Sequence, residues 1–125
     1  MYQPKHTKHV ALSGQKVPED ITRKFIEDYV RGLDYMAIGA AAFPAKGPLN
    51  EEEITHITSI LWNIVLWYYD QPSSLGGFAT YIIKNDLRKA VLNADTTNLR
   101  AIKIYALFMY NIMPGDYIRK GSGLA

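Results

Sequence analysis

The chain has 125 residues, of which 48% are hydrophobic and 21% charged, a profile typical of one folded domain and not of a disordered segment. Its formal net charge of +2 is too small to predict nucleic-acid binding by itself, and the absence of cysteine excludes disulfides and thiolate metal sites. The N-terminal residues contain no apolar signal region, and the longest apolar stretch, residues 57–69, is shorter than a membrane span of about 20 residues. We therefore expect a soluble, cytoplasmic protein.

The chain divides into four predicted helices between two charged ends. Residues 1–17 mix histidine, lysine, glycine and proline without a period, so we predict a flexible basic arm. Apolar residues at helical spacing predict helices over about 18–43, 50–70, 75–94 and 96–113, and residues 114–125 are predicted to be a tail. No segment alternates apolar and polar residues as a strand does. The predicted fold is all-α: a single, small four-helix bundle-like domain over residues 18–113.

The second predicted helix is more apolar than one position in a bundle requires. Residues 61–70 read LWNIVLWYYD and include both tryptophans of the chain. At 100° per residue, one stripe is wide enough to face a bundle core: Ile54, Ile57, Leu61, Ile64, Val65 and Tyr68. Further apolar residues lie outside that stripe, so this helix has more apolar surface than its contact with the bundle core would bury.

The third and fourth predicted helices differ from each other in how much of their surface is apolar. The third has an ordinary buried face: Ala79, Ile83, Leu87, Ala90, Val91 and Ala94. The fourth is again apolar on two sides. Its predicted core face comprises Leu99, Ile102, Ala106, Met109 and Met113, and Ile104 and Phe108 point the opposite way.

Spare apolar stripes of this kind are typical of interaction surfaces. We therefore predict that the second and fourth helices pack partly against their own core and partly against another chain. The predicted contact residues are Trp62, Leu66, Trp67, Tyr69, Ile104 and Phe108. The functional hypothesis is a non-enzymatic helical subunit or adaptor that acts through protein–protein contact, with itself in a homo-oligomer or within a larger, structural assembly.

The alternative hypothesis is a nucleic-acid-binding accessory protein. Basic residues of the arm and of the outer face of the third helix would follow a phosphate backbone, and a tyrosine would stack on a base. The residues concerned are Lys5, Lys8, Tyr81, Lys84, Arg88 and Lys89. A third interpretation is a small-molecule pocket inside the bundle, lined by Tyr105, Met109, Tyr110 and Met113.

Two other patterns carry little chemistry. Glu53 and His56 have the Glu-x-x-His spacing of a bundle metal site, but no second copy of that motif accompanies them. The run of residues 73–77, SSLGG, precedes a helix but lacks the lysine and the preceding strand of a phosphate-binding loop. No nucleophile, base and orienting group occur together, so we predict no catalytic residues, no metal and no cofactor.

Overall fold

The computed structural model describes residues 16–35 and 48–124, which form seven α-helices and no strand. The helices are α1 (Arg23–Tyr35), α2 (Glu51–Tyr68), α3 (Gly77–Ile83), α4 (Leu87–Asn93), α5 (Thr96–Arg100), α6 (Ile102–Asn111) and α7 (Tyr117–Gly121). The predicted all-α class is confirmed. The predicted arm up to residue 15, with Lys5 and Lys8, and the predicted extension of the first helix over residues 36–43 lie outside the described residues.

Helix α2 matches the second predicted helix and supplies much of the core. Asn50 caps it, because its side-chain oxygen accepts the Glu53 N–H at 2.8 Å while a Glu53 carboxylate oxygen accepts the Asn50 N–H at 3.0 Å. This reciprocal arrangement satisfies two N–H groups that a helix start otherwise leaves open. The predicted core stripe is confirmed, since all six of its members are buried: Ile54, Ile57, Leu61, Ile64, Val65 and Tyr68.

Helix α1 packs along α2 through an apolar stripe in which Ile26 and Val30 are fully buried. An ion pair also joins the two helices: the Arg31 guanidinium donates to both oxygens of Glu51, at 2.6 and 2.8 Å. Solvent-exposed pairs of this kind contribute about 0–1 kcal/mol, whereas burying one aliphatic side chain contributes about 1.5–3 kcal/mol. The apolar stripe therefore provides most of the stability of the α1–α2 contact.

The third predicted helix is two helices, because the chain turns at Asn85. This residue has a φ of 58°, in the left-handed region that asparagine tolerates, and it ends α3. Asp86 then starts α4 by accepting the Lys89 N–H at 3.1 Å. The new direction of α4 corrects the predicted buried face. Ala79, Ile83 and Ala90 are buried, but Leu87 and Val91 are exposed.

The fourth predicted helix is interrupted at Ala101, and the faces predicted for α6 need correction. Ile104 and Phe108 are fully buried, whereas Ala106, which was predicted to face the core, is exposed. The physical reason is aromatic packing on the inner side. The Phe108 ring meets that of Tyr29 edge to face at a centroid distance of 5.5 Å. Met109 and Met113 are buried, as predicted.

The predicted tail contains a further helix, α7, which closes the fold against α2 and α3. Lys120 on α7 donates to the backbone oxygen of Tyr68 at 2.6 Å and to the Asp70 carboxylate at 2.9 Å. The Tyr68 hydroxyl in turn donates to Asp116, just before α7. These contacts correct the prediction of a tail for this part of the chain. Among the described residues, no helix has the combination of length and apolar character needed to cross a membrane.

Gly121 brings α7 close to α3. A Cβ atom built there would lie 2.3 Å from a methyl carbon of Ile83, and the Ile83 side chain is fully buried in the core. We therefore expect Gly121→Ala to lower the free energy of unfolding by about 1–3 kcal/mol, measured by chemical denaturation.

Gly32 on α1 provides the matched control for that substitution. A Cβ there would meet no atom within 4 Å, so Gly32→Ala should raise stability by up to about 1 kcal/mol through helix propensity. Equal stability of the Gly121→Ala variant and the wild-type chain would contradict the close packing of α7 on Ile83.

Candidate protein-interaction groove

Helix α6 is apolar on two opposite sides, and the core covers the inner side completely but the outer side only in part. Its sequence, IKIYALFMYN, contains a single charged residue, Lys103. The inner side carries Ile104, Tyr105 and Phe108, all fully buried. A helix that is apolar around its circumference is normally buried around its circumference. The outer side of α6 therefore presents apolar surface that the described part of the fold does not cover.

The outer side of α6 forms the floor of a groove. The groove has a volume of about 710 Å³, and its other lining residues belong to α3, α4, α7 and the turns before α4 and α7. Its apolar lining comprises Ile82, Leu87, Ala90, Ile102, Ala106, Leu107, Met109, Met113 and Ile118, with the rings of Tyr81, Tyr110 and Tyr117. The volume lies within the range of about 300–1,000 Å³ found for binding clefts in proteins.

Two large side chains at the groove are mostly in solvent. Tyr110 on α6 is 77% exposed and Leu87 on α4 is 70% exposed. A monomeric protein usually exposes such residues singly, and a contiguous apolar surface with exposed large side chains is typical of a contact site. Because both residues line the same groove, we define the candidate site as the α6 groove, with Leu87 and Tyr110 as its exposed anchors.

The charged residues of the α6 groove are few. Among its described lining residues, Lys103 is the only base and Asp86 the only acid. The Asp86 carboxylate is engaged in capping α4, where it accepts the Lys89 N–H. Arg88 and Lys89, beside the lining residue Leu87, are exposed to solvent. The Lys89 ammonium lies 5.6 Å from the centroid of the Tyr81 ring in the groove wall. Lys89 therefore places one positive charge beside the groove wall, and the lining itself holds one charge of each sign.

The contact residues predicted from the sequence lie elsewhere. Tyr69, Ile104 and Phe108 are buried, so they belong to the core of the folded chain and the prediction needs correction for these three. Trp62, Leu66 and Trp67 on α2 are half-buried, and both tryptophans pack against the core. None of the six lines the α6 groove.

The residues of the nucleic-acid hypothesis do not form one uniform face. Lys84 donates to the backbone oxygen of Leu124 at 3.0 Å, which directs its ammonium toward the end of the chain. Tyr81 lies in the groove wall with Lys89 against its ring. Arg88 is exposed. Tyr81 and Lys84 precede the turn at Asn85 and Arg88 and Lys89 follow it on α4, and the contact of Lys89 with the Tyr81 ring joins the two helices.

The residues of the small-molecule interpretation lie on two different sides of α6. Tyr105 is buried on the inner side of α6, where its hydroxyl donates to the Asn98 side-chain oxygen at 2.5 Å. Burial raises the pKa of Tyr105 well above its ordinary value of 10.0, with a smaller contribution from the negative charge of Asp95. Met109, Tyr110 and Met113 line the groove on the other side. The proposed pocket residues therefore do not share one cavity.

The two residues of the Glu-x-x-His spacing link α2 to the α5 region, Glu53 through an ion pair and His56 through a contact with a carboxylate. The Arg100 guanidinium donates to both Glu53 carboxylate oxygens, at 2.8 and 2.9 Å, and both side chains are largely buried. His56 contacts the Asp95 carboxylate at 3.0 Å. Within the described residues, no three histidine, aspartate or glutamate side chains are grouped as a metal site would require.

The SSLGG run forms the turn before α3. Gly76 is the N-cap residue of that helix without a side-chain bond, and the Ser74 N–H donates to Asn63 of α2 at 2.9 Å. The run therefore joins α2 to α3.

The sequence pattern placed Leu87 on a buried face and Tyr110 in an internal pocket, so it did not predict that both side chains are exposed at one groove. The available signal was Asn85-Asp86, an asparagine that can end a helix followed by an aspartate that can start one. A break at this position changes which residues of the following helix face outward. For α6, no local signal states which of two apolar sides faces the core.

Comparison with known proteins gives no relative from which a function could be transferred. No protein-family model matches the chain, no curated protein matches it, and no solved structure matches it. The functional argument therefore rests on the geometry of this chain.

Proposed function

We propose that the chain is a non-enzymatic, cytoplasmic helical subunit or adaptor, and that the α6 groove is its protein-contact surface. The observation that carries this proposal is the outer side of α6, an apolar helical face left open beside Leu87, with Tyr110 at 77% exposure. A protein partner would remove this surface from water.

Energetics favour a macromolecular contact at this surface. An aromatic side chain offers 150–250 Å² for burial, and apolar burial contributes roughly 25 cal/mol per Å², so covering Tyr110 alone would contribute several kcal/mol. Aromatic anchors at the centre of an apolar patch are also the residues that dominate binding energy in protein interfaces. The two anchors stand on different helices, so one partner segment lying in the groove would contact both.

The proposal includes two partner classes expected from the sequence, another copy of the chain or a different protein in a larger assembly. Nucleic acid stays as the alternative class. Covalent crosslinking at the groove distinguishes these classes, because each class would leave a different molecule attached to the chain.

Photo-crosslinking at Leu87 tests the proposal. A photoreactive benzoyl-phenylalanine would replace Leu87 in cells that make the protein, and the irradiated products would be identified by mass spectrometry. We expect a covalent adduct with a protein. An adduct with the chain itself would indicate a homo-oligomer, and an adduct with another protein would indicate an adaptor. An adduct with nucleic acid would support the alternative.

Leu92 provides the matched control position. It lies on the same helix and is 76% exposed, compared with 70% for Leu87, but it does not line the groove. Because both positions are on the surface, the probe should leave the fold intact at either one. Equal adduct yields at the two positions, or no adduct at Leu87, would contradict the groove as the contact surface.

A further inference from the structure

The last described segment of the chain, residues 115–124, buries little apolar surface of its own. Within this segment Gly121 is the only buried residue, whereas α3, against which it packs, buries three of its seven residues. Tyr117 and Leu124 are partly buried against the core. Segments with few buried apolar contacts are the ones that open locally while the rest of a protein stays folded. We name residues 115–124 the C-terminal strap.

Lys120 ties the C-terminal strap to the end of α2. Its ammonium donates to the backbone oxygen of Tyr68 at 2.6 Å and to the Asp70 carboxylate at 2.9 Å. It also lies 5.5 Å from the ring centroid of Trp67 and 5.3 Å from that of Tyr68. Helix α2 has no basic residue in its own last turn, so Lys120 supplies from another helix the positive charge that a helix C-terminus favours. Charge-assisted hydrogen bonds of this kind are roughly twice as strong as neutral ones.

Two further hydrogen bonds hold the C-terminal strap near its two ends. The Tyr68 hydroxyl donates to Asp116 near the start, and the Lys84 ammonium donates to the backbone oxygen of Leu124 at 3.0 Å near the end. Between these points Gly121 lies against the side chain of Ile83, which is fully buried. Opening of the strap would therefore bring Ile83 into contact with solvent.

We infer that the C-terminal strap opens while α1 to α6 stay folded, and that the charge of Lys120 sets how often it opens. Tyr117 and Ile118 line the α6 groove, so an open strap would remove these two side chains from the lining. The extent of the groove then depends on whether the strap is closed. Because opening of the strap requires no partner, its measurement is independent of the proposed function.

A single cysteine beneath the C-terminal strap measures its opening in the full-length chain. The chain contains no cysteine, so Ile83→Cys introduces one buried thiol, which a thiol reagent reaches only when the structure around it opens. Ile57→Cys is the matched control, because Ile57 is also fully buried and lies about 16 Å along α2 from Tyr68. We expect labelling at position 83 to be at least about tenfold faster than at position 57. Low concentrations of urea should accelerate labelling at position 57 steeply and at position 83 only slightly, because opening of the strap exposes little surface.

Two substitutions on α7 test the role of Lys120 in the Ile83→Cys background. Lys120→Met removes the ammonium and should raise the labelling rate at position 83 by at least about tenfold. Arg119→Met is the matched control, since it changes the net charge equally on the same helix. The Arg119 side chain is 75% exposed and its guanidinium lies 3.9 Å from Asp116, so this substitution should change the rate by less than about threefold.

Two results would overturn the inference. Equal labelling rates at positions 83 and 57, with the same dependence on urea, would mean that the strap opens only when the whole chain unfolds. Equal rates for Lys120→Met and Arg119→Met would remove the role of Lys120. If Ile83→Cys does not fold, amide hydrogen exchange of the unsubstituted chain makes the first comparison. The N–H groups of Lys120 and Ser122, which donate within the strap, should then exchange with less dependence on urea than those of α2.

Discussion

Replacing Phe108 by alanine is expected to lower the free energy of unfolding by about 3–5 kcal/mol. The ring is fully buried and packs edge to face against Tyr29, so its removal exchanges close contacts between α6 and α1 for a cavity. The sequence pattern predicts the same residue on a contact surface, where truncation would change stability little. Chemical denaturation of the purified variant separates the two assignments directly.

Tyr110 on the same helix is the control for Phe108. It is 77% exposed and its ring lies at the groove, so Tyr110→Ala should change stability by no more than about 0.5–1 kcal/mol. A Phe108→Ala variant as stable as Tyr110→Ala would mean that the inner and outer sides of α6 are assigned the wrong way round.

Replacing Arg100 by methionine is expected to produce the second large effect, a loss of about 3 kcal/mol near pH 7. Its guanidinium donates hydrogen bonds to both Glu53 carboxylate oxygens, and the side chain is almost fully buried between α2 and α5. Without it, a charged carboxylate stays in a largely buried position with fewer donors. Glu53→Gln in the Arg100→Met background removes that charge and should recover part of the loss, measured by chemical denaturation. No recovery would contradict an ionised Glu53.

The same pair predicts a dependence of stability on pH. Burial alone would raise the pKa of Glu53, but the Asn50 N–H, the Arg100 guanidinium and the Thr97 hydroxyl outweigh it and hold that pKa below its ordinary value of 4.5. A carboxyl with a lowered folded-state pKa contributes stability that is complete above its unfolded-state pKa. That contribution is lost as the pH falls through the folded-state pKa. The stability difference between wild type and Glu53→Gln should therefore be constant above about pH 5.5 and shrink below pH 4.5.

The parts of the fold that could be predicted from sequence are those in which local signals and burial agree. In α2, an asparagine cap, three acidic residues in the first turn and a broad apolar stripe all specify one helix with one inner face. The start of this helix and its buried residues follow from these signals. Its remaining apolar residues, including Trp62 and Trp67, are partly covered by the rest of the fold, which no property of the helix alone could predict.

The parts that could not be predicted depend on competition between elements. Asn85-Asp86 permits a helix break, but asparagine also occurs inside helices, so the left-handed conformation of Asn85 depends on how α3 and α4 pack. The inner side of α6 is decided by rings on other helices, since Phe108 meets Tyr29 of α1 and Tyr105 meets Phe78 of α3. Both sides of α6 are apolar, so the helical spacing of its apolar residues does not determine which side faces the core. The α6 groove exists because the complete fold turns the side with Phe108 toward the core and the opposite side outward.

The central proposal is that the outer side of α6 is the contact surface, and the half-buried Trp62, Leu66 and Trp67 of α2 remain the surface predicted from the sequence. The most direct measurement places the same photoreactive residue at position 110 on α6 or at position 67 on α2, in cells that make the protein. The groove predicts a protein adduct at position 110 and a yield at position 67 no greater than at the control position 92. An adduct at position 67 with none at position 110 would contradict the claim and return the contact surface to the tryptophans.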